Sequence, residues 1–390
     1  MILNLNDFEP AARRRLPRPL FGYIAGAAET SAAFRDNAEV FNEFRLVPNV
    51  LRGVEGRSIS RRLLGRDWAA PFGIAPMGIA ALMALDGDVV SARAAARAGI
   101  PYVLSGSSLT PMERVFEANP DAWFQAYLPG EEDRIRALVE RVRASGFTTL
   151  VLTADTAVLS NRENNRRAGF STPLKFTPRM IWDFGIRPRW VFGTFLRTLL
   201  RSGMPHFENS FATRGAPIVS RRVARDFGRK DHLNWDHVRL IRDLWGGQLV
   251  LKGLLSAGDV ARARGIGCEG VVLSNHGGRQ LDHAISGMRA LPAARAEAGD
   301  MALMVDGGLR RGTDVIKALA LGADFVFVGR PFLFAASLGG EAAVERAIDI
   351  LREEIHRDLG LLGLRETAEI SPEILMPAGH GPFPAPAKMV

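Results

Sequence analysis

The sequence predicts an α/β fold: a (β/α)8 TIM barrel with a helical N-terminal cover and a long insertion after the fourth strand. Three observations carry this expectation. From about residue 70, short apolar runs alternate with amphipathic stretches, the rhythm of repeated βα units. The runs are continuous rather than alternating in polarity, as parallel strands covered on both faces require. Polar residues recur at or just beyond the ends of these runs: Ser105, Gln125, Thr153, Asp155, Lys252, Ser274, His276, Asp306 and Arg330. In a barrel those ends converge on one mouth, where active sites are built. An open doubly wound sheet shares the periodicity, but this placement favours the barrel.

The expected strands are 72–75, 102–105, 123–127, 149–153, 249–252, 271–274, 302–305 and 325–328. Helical patterns lie between them at 131–145, 257–264 and 313–321. Asn234 is placed to cap a further helix with Val238, Ile241 and Leu244 on one face and Gly246 at its end. Residues 1–70 read as the helical cover, with a small hairpin near 54–64. Residues 163–233 exceed ordinary βα loop lengths and form the insertion.

With 390 residues, 47% of them hydrophobic, the chain has ample material for one domain spanning 1–390. A single cysteine, Cys268, excludes a disulfide framework and is expected to pack as a small apolar residue. The first residues lack the continuous apolar stretch of a secretory signal, so a cytoplasmic location is the default expectation. No run of about 18 apolar residues exists to span a bilayer. A formal charge of +8, dominated by arginine, calls for an anionic partner. Nucleic acid, a membrane surface, a phosphorylated cofactor and an acidic substrate all satisfy the charge.

The segment Ser274-Asn275-His276-Gly277-Gly278-Arg279-Gln280 carries the most chemistry. An apolar strand runs into a base suited to neutral pH, two glycines that clear the mouth, and an arginine able to grip a carboxylate with both arms. Asp155, just past the fourth strand, can orient that histidine and stabilise its protonated form. Arg162 follows shortly after. The segments Asp306-Gly307-Gly308-Leu309-Arg310 and Gly329-Arg330 follow the last two strands, the usual phosphate position in such barrels. Lys252 ends a strand, where a cation can stabilise charge developing on a cofactor. The other histidines show no metal-ligand spacing, and no metal site is expected.

Residues 176–201 interleave Trp182, Phe184, Trp190, Val191, Phe192, Phe195, Leu196, Leu199 and Leu200 with arginines, and prolines forbid one continuous helix. Short basic-aromatic pieces of this kind suit a membrane interface. A hydrophobic lid or an oligomer contact is the competing reading.

At SNHGGRQLD and DGGLRRGTDVIKALALGA the chain resembles the FMN-dependent 2-hydroxy acid dehydrogenase and oxidase family, over nearly its whole length outside the insertion. The resemblance implies an enzyme that oxidises a 2-hydroxy acid and reduces FMN. It implies His276 as base and Asp155 as its partner. Tyr23, Tyr127, Arg162 and Arg279 would bind substrate. Pro76, Met77, Gly78, Ser105, Gln125, Thr153, Lys252 and Ser274 would lie against the flavin, with Asp306, Gly308, Arg310, Gly329 and Arg330 along its ribityl phosphate.

Arg187-Pro188-Arg189-Trp190, Gly203-Met204-Pro205 and Lys252-Gly253-Leu254-Leu255-Ser256-Ala257 resemble the (S)-mandelate dehydrogenase branch, whose insertion binds membranes. Gly106-Ser107 departs from the Ser-Trp pair of glycolate oxidase, and Gly78 stands where oxidases tend to have Ala. The expectation is therefore a homotetrameric dehydrogenase of mandelate or a similar bulky acid, peripheral on the cytoplasmic face of the inner membrane. It would pass electrons to a quinone or another acceptor and bind no nucleic acid. The alternatives are an L-lactate dehydrogenase, a peroxide-producing oxidase, or a basic membrane-binding protein on a degenerate barrel.

Overall fold

Continuous apolar runs become parallel strands because both of their faces are covered. The computed structural model describes residues 1–171, 177–220 and 230–379. Its strands β1 Phe72–Ile74, β2 Val103–Ser105, β3 Trp123–Ala126, β4 Thr149–Thr153, β5 Gln248–Leu254, β6 Gly270–Leu273, β7 Ala302–Asp306 and β8 Phe325–Val328 overlap every expected one. From β2 to β8 each pairs in parallel with its neighbours in sequence, and β8 pairs with β1. A parallel bridge from Ile74 to Tyr102 nearly closes the ring between β1 and β2. Sequential order with the first strand beside the last has no switch point, so the barrel prevails over the open sheet.

Helices α1 Gly87–Ala98, α2 Met112–Ala118, α3 Glu132–Ala144, α4 Trp235–Leu244, α5 Ala257–Ile266, α6 Gly287–Ala298, α7 Gly312–Ala320 and α8 Arg330–Leu362 surround the strands. The Asn234 side chain accepts from the Asp236 N–H at 2.9 Å, capping α4 as its sequence predicts. Alternate strand residues point inward, and Val103, Trp123, Val151, Val250, Val272, Met304 and Phe327 fill the barrel interior. The cover includes helices Phe8–Arg15, Arg18–Ala25 and Ala32–Glu39.

The hairpin lies later than 54–64, pairing Arg61–Leu63 with Arg66–Trp68. Its position follows from burial: Leu63 and Trp68 plug the N-terminal end of the barrel interior. Cys268 is buried, as expected of a small apolar residue.

Within the insertion, Thr177 caps helix Pro178–Gly185 by accepting from the Met180 N–H. Pro188 then opens a second helical stretch that runs through a π-helical turn, Val191–Phe195, to Leu196–Ser202. Its periodicity sorts two stripes. Trp190, Thr194 and Thr198 are buried, whereas Phe192, Leu196 and Leu200 are exposed. Trp190 therefore leaves the expected interfacial set: its indole N–H donates to the Leu82 carbonyl at 2.8 Å, inside the core. Arg201 bridges to Asp86, and Arg141 donates to the carbonyls of Glu208 and Phe211, pinning the insertion to the barrel. The expectations for 172–176 and 221–229 lie outside the described residues. Among the described residues no helix is long and apolar enough to cross a membrane.

Candidate active site

A cavity of about 310 Å³ opens at the C-terminal mouth of the barrel. The loop after β6 forms one wall. His276, Gly277 and Gly278 take successive left-handed conformations, with φ of +59°, +66° and +73°. For a histidine this costs on the order of 1–3 kcal/mol, so the surroundings must hold it. Asn275 does so, exchanging amide hydrogen bonds with Asn37 at 2.7 and 3.0 Å and accepting from the Gly278 N–H at 2.9 Å. Gly278 also has no room for a side chain, since a Cβ would stand 2.5 Å from the Phe34 nitrogen.

The strained loop turns the imidazole toward the end of β4. His276 Nδ1 lies 3.1 and 3.2 Å from the two Asp155 carboxylate oxygens, leaving Nε2 as the nitrogen free for a ligand. Asp155 fits only because β5 bulges at Gly253, where a Cβ would come within 2.7 Å of its Cγ. Burial lowers the His276 pKa, against the pull of the Asp155 carboxylate. Burial works the other way on Asp155, but the charge and hydrogen bond of His276 outweigh it and hold the carboxyl below its ordinary range. The pair at neutral pH is an imidazole base oriented by a carboxylate.

Arg162 and Arg279 line the same cavity. Arg162 donates to the Arg279 carbonyl at 3.1 Å and to Gln280 Oε1 at 2.7 Å. Arg279 donates to the carbonyls of Tyr23 at 2.6 Å and Gly26 at 2.9 Å, and its guanidinium stacks 4.9 Å from the Tyr23 ring centroid. Burial and the neighbouring Arg162 push Arg279 down to about 10. Among the described residues neither arginine has a carboxylate partner, which leaves a site for an anion. Burial pushes the Tyr127 phenol well above its ordinary range, so it is a neutral donor beside them.

Deeper in the cavity, Lys252 Nζ is held 2.7 Å from both Ser274 Oγ and Asp306 Oδ2. Gln125 Nε2 and Asp306 Oδ1 are buried with no partner among the described residues, one a donor and one an acceptor. Unmet buried groups of both kinds call for a polar ligand. Ser105 Oγ donates to Gln125 Oε1 at 3.2 Å and so fixes which end of that amide faces the ligand. Pro76, Met77 and Gly78 form the facing wall, with Thr153 beside them.

Gly308, Arg310, Gly329 and Arg330 close the inner end at the N-terminus of α8. Burial lowers the pKa of both arginines, and the charges of Arg279 and Arg310 depress Arg330 further. Arg330 donates from Nε and Nη2 to the carbonyls of Ile24, Gly26 and Gly277, tying the cover to the loop after β6.

The expected site residues thus converge on one cavity, except Ser105, Ser274 and Asp155, which sit one layer behind it and act on Gln125, Lys252 and His276. Sequence reasoning passed over Asn275, Gln280 and Asp282, although all three stand in the quoted segment. Gln280 donates to the Asp155 carbonyl at 2.7 Å while accepting from Arg162. Asp282 accepts from Thr30 and from the Ala33 N–H, fastening the loop to the cover. Lys230 also lines the cavity, and nothing in its sequence context signals that.

Residues 12–377 match the family model described as FMN-dependent dehydrogenase. The chain is 36% identical to (S)-mandelate dehydrogenase of Pseudomonas putida over 379 residues, covering 97% of this chain and 95% of the relative. It is 37% identical to L-lactate dehydrogenase of Pseudomonas aeruginosa over 375 residues, covering 95% and 97%. A crystal structure of the monotopic membrane protein (S)-mandelate dehydrogenase superposes with a TM-score of 0.88 at 35% identity, covering 96% of this chain and 99% of that one. The unmet donor and acceptor beside Lys252, and the arginines at the inner end, suit a flavin with a phosphate tail. The chain belongs to the FMN-dependent 2-hydroxy acid dehydrogenase family, and FMN is its cofactor.

Proposed function

We propose that this chain oxidises an (S)-2-hydroxy acid with a bulky, mandelate-like side chain, working at a membrane surface and passing electrons to a quinone or another acceptor. Bound FMN supplies a two-electron acceptor. Arg162 and Arg279 bind the substrate carboxylate, with Tyr23 and Tyr127 donating hydrogen bonds. His276 Nε2 takes the substrate proton, and Asp155 stabilises the imidazolium that results. Gln125, Thr153, Lys252 and the backbone at Pro76–Gly78 hold the flavin ring. Gly308, Arg310 and Gly329 hold its phosphate together with the Arg330 backbone N–H that opens α8, because Pro331 has no N–H and Phe332 donates its own to the Gly329 carbonyl.

The observation that carries the substrate reading is the apolar lining. Val158, Leu159, Phe170 and Phe207 line the cavity shared with His276 and the two arginines, providing apolar surface for a ring. The similarity to lactate dehydrogenases favours a second reading, a small aliphatic substrate on the same machinery. Anaerobic flavin reduction with (S)-mandelate and (S)-lactate separates the two. Mandelate should reduce the flavin with the higher kcat/KM, and a clear preference for lactate rejects the proposal. Little peroxide should form in air, and stoichiometric peroxide would make the chain an oxidase.

The membrane part rests on the exposed Ile181, Trp182, Phe192, Leu196 and Leu200 among arginines. The solved relative described as a monotopic membrane protein supports it.

A further inference from the structure

Lys230 stands just before the Asn234 cap of α4 and lines the cavity that holds His276, Arg162 and Arg279. Its Nζ lies 5.1 Å from the centroid of the Tyr127 ring. No carboxylate among the described residues pairs with it, and burial alone pushes its ammonium down to about 8. The ring face compensates such a charge only in part. An ammonium kept in a cavity without a counter-charge is therefore available to whatever enters. The substrate groups common to all 2-hydroxy acids already have partners on the proposed reading, the carboxylate in the two arginines and the proton in His276. Lys230 is left for the part of the substrate that varies. The apolar part of the lining, Val158, Leu159, Phe170 and Phe207, offers a side chain no hydrogen bond of its own.

We infer that Lys230 is a specificity-determining residue that favours 2-hydroxy acids whose side chain ends in a hydrogen-bond acceptor oxygen, such as ring-hydroxylated mandelates. This rests on the site assignment proposed above. A charged contact to the variable side chain discriminates strongly, because a substrate lacking the acceptor leaves the ammonium desolvated and unpaired.

The test uses the full-length FMN-bound chain and its Lys230→Met and Lys230→Arg variants, with flavin content and visible spectrum reporting folding. Flavin reduction is measured with 4-hydroxymandelate against mandelate, and with 2,4-dihydroxybutyrate against 2-hydroxybutyrate. The unaltered chain should prefer the hydroxylated member of a pair it accepts. Lys230→Met should lower that ratio of kcat/KM by about 10-fold or more, and Lys230→Arg should keep most of it. If Lys230→Met does not hold flavin, Lys230→Gln carries the same comparison.

Unchanged ratios in both pairs overturn the inference, including the case where Lys230 serves the shared carboxylate and both members slow equally. Discrimination confined to the aliphatic pair, with no turnover of either aryl acid, rejects the mandelate-like reading and leaves the role of Lys230 standing. Flavin reduction by none of the four acids rejects both.

Discussion

A histidine that accepts a proton near neutrality must be held neutral without losing its orientation, and His276 meets both demands from opposite directions. Burial lowers its pKa while Asp155 raises it, and burial prevails. Because the neutral imidazole is the active form, kcat/KM should rise with pH through an inflection below the ordinary 6.5 and then level off. Asp155→Asn removes the group that raises the pKa, so the acid limb should move to still lower pH. The rate should fall about 100-fold or more, because the imidazolium loses its partner. An acid limb that stays in place would dissociate Asp155 from the titrating base.

Arg279→Lys probes the other half of the site. A point charge replaces a fork already anchored on the Tyr23 and Gly26 carbonyls, so KM should rise and kcat should fall. Unaltered steady-state kinetics would place the substrate carboxylate elsewhere. Most of these residue identities were legible, since His276 and Asp155 lie just beyond strand ends and Arg162 and Arg279 follow in the same loops. Lys230 was not, because its place in the cavity depends on the path of a long insertion rather than on the βα rhythm.

At the scale of elements, the catalytic loop is held by the cover as much as by the barrel. Asp282 accepts from the Thr30 N–H at 2.9 Å, the Thr30 hydroxyl at 2.5 Å and the Ala33 N–H at 3.0 Å. Asp282→Ala leaves these donors unmet and should cost about 3 kcal/mol of stability. Because the same fastening sets the loop that carries His276, kcat should fall even at temperatures where the variant is folded. Thermal unfolding and single-turnover flavin reduction measure the two effects. A variant with lower Tm and full kcat would show that Asp282 stabilises the cover without positioning the loop.

The strands were read correctly because continuous apolar runs such as those at Thr149–Thr153 and Phe325–Val328 have few other uses. The hairpin was displaced because the residue fixing it, Trp68, is buried by a barrel interior that local pattern does not contain. The same limit explains Trp190. Aromatics at helical spacing look alike whether they face a protein core or a bilayer, and only the packing against Leu82 separates Trp190 from Trp182.

For the molecule as a whole, the formal charge of +8 and the exposed stripe of the insertion make one argument. Trp182, Phe192 and Leu200 are 69%, 67% and 88% exposed, a poor arrangement in water for large apolar side chains standing among arginines. Burial of each in an interface contributes up to roughly 2 kcal/mol, and the arginines add attraction to anionic headgroups that salt screens. Excising residues 171–215 is too blunt a test, since it removes Trp190 from the core and the Glu208 carbonyl from Arg141. Replacing Trp182, Phe192 and Leu200 together with serine changes only the exposed surface. That variant should keep its flavin and its anaerobic reduction by substrate. Its partitioning onto vesicles containing anionic lipid should fall by about 100-fold, with the residual binding lost as salt rises. Undiminished vesicle binding would move the contact surface away from the insertion. Lost flavin reduction would show that the stripe supports the catalytic cavity rather than a membrane.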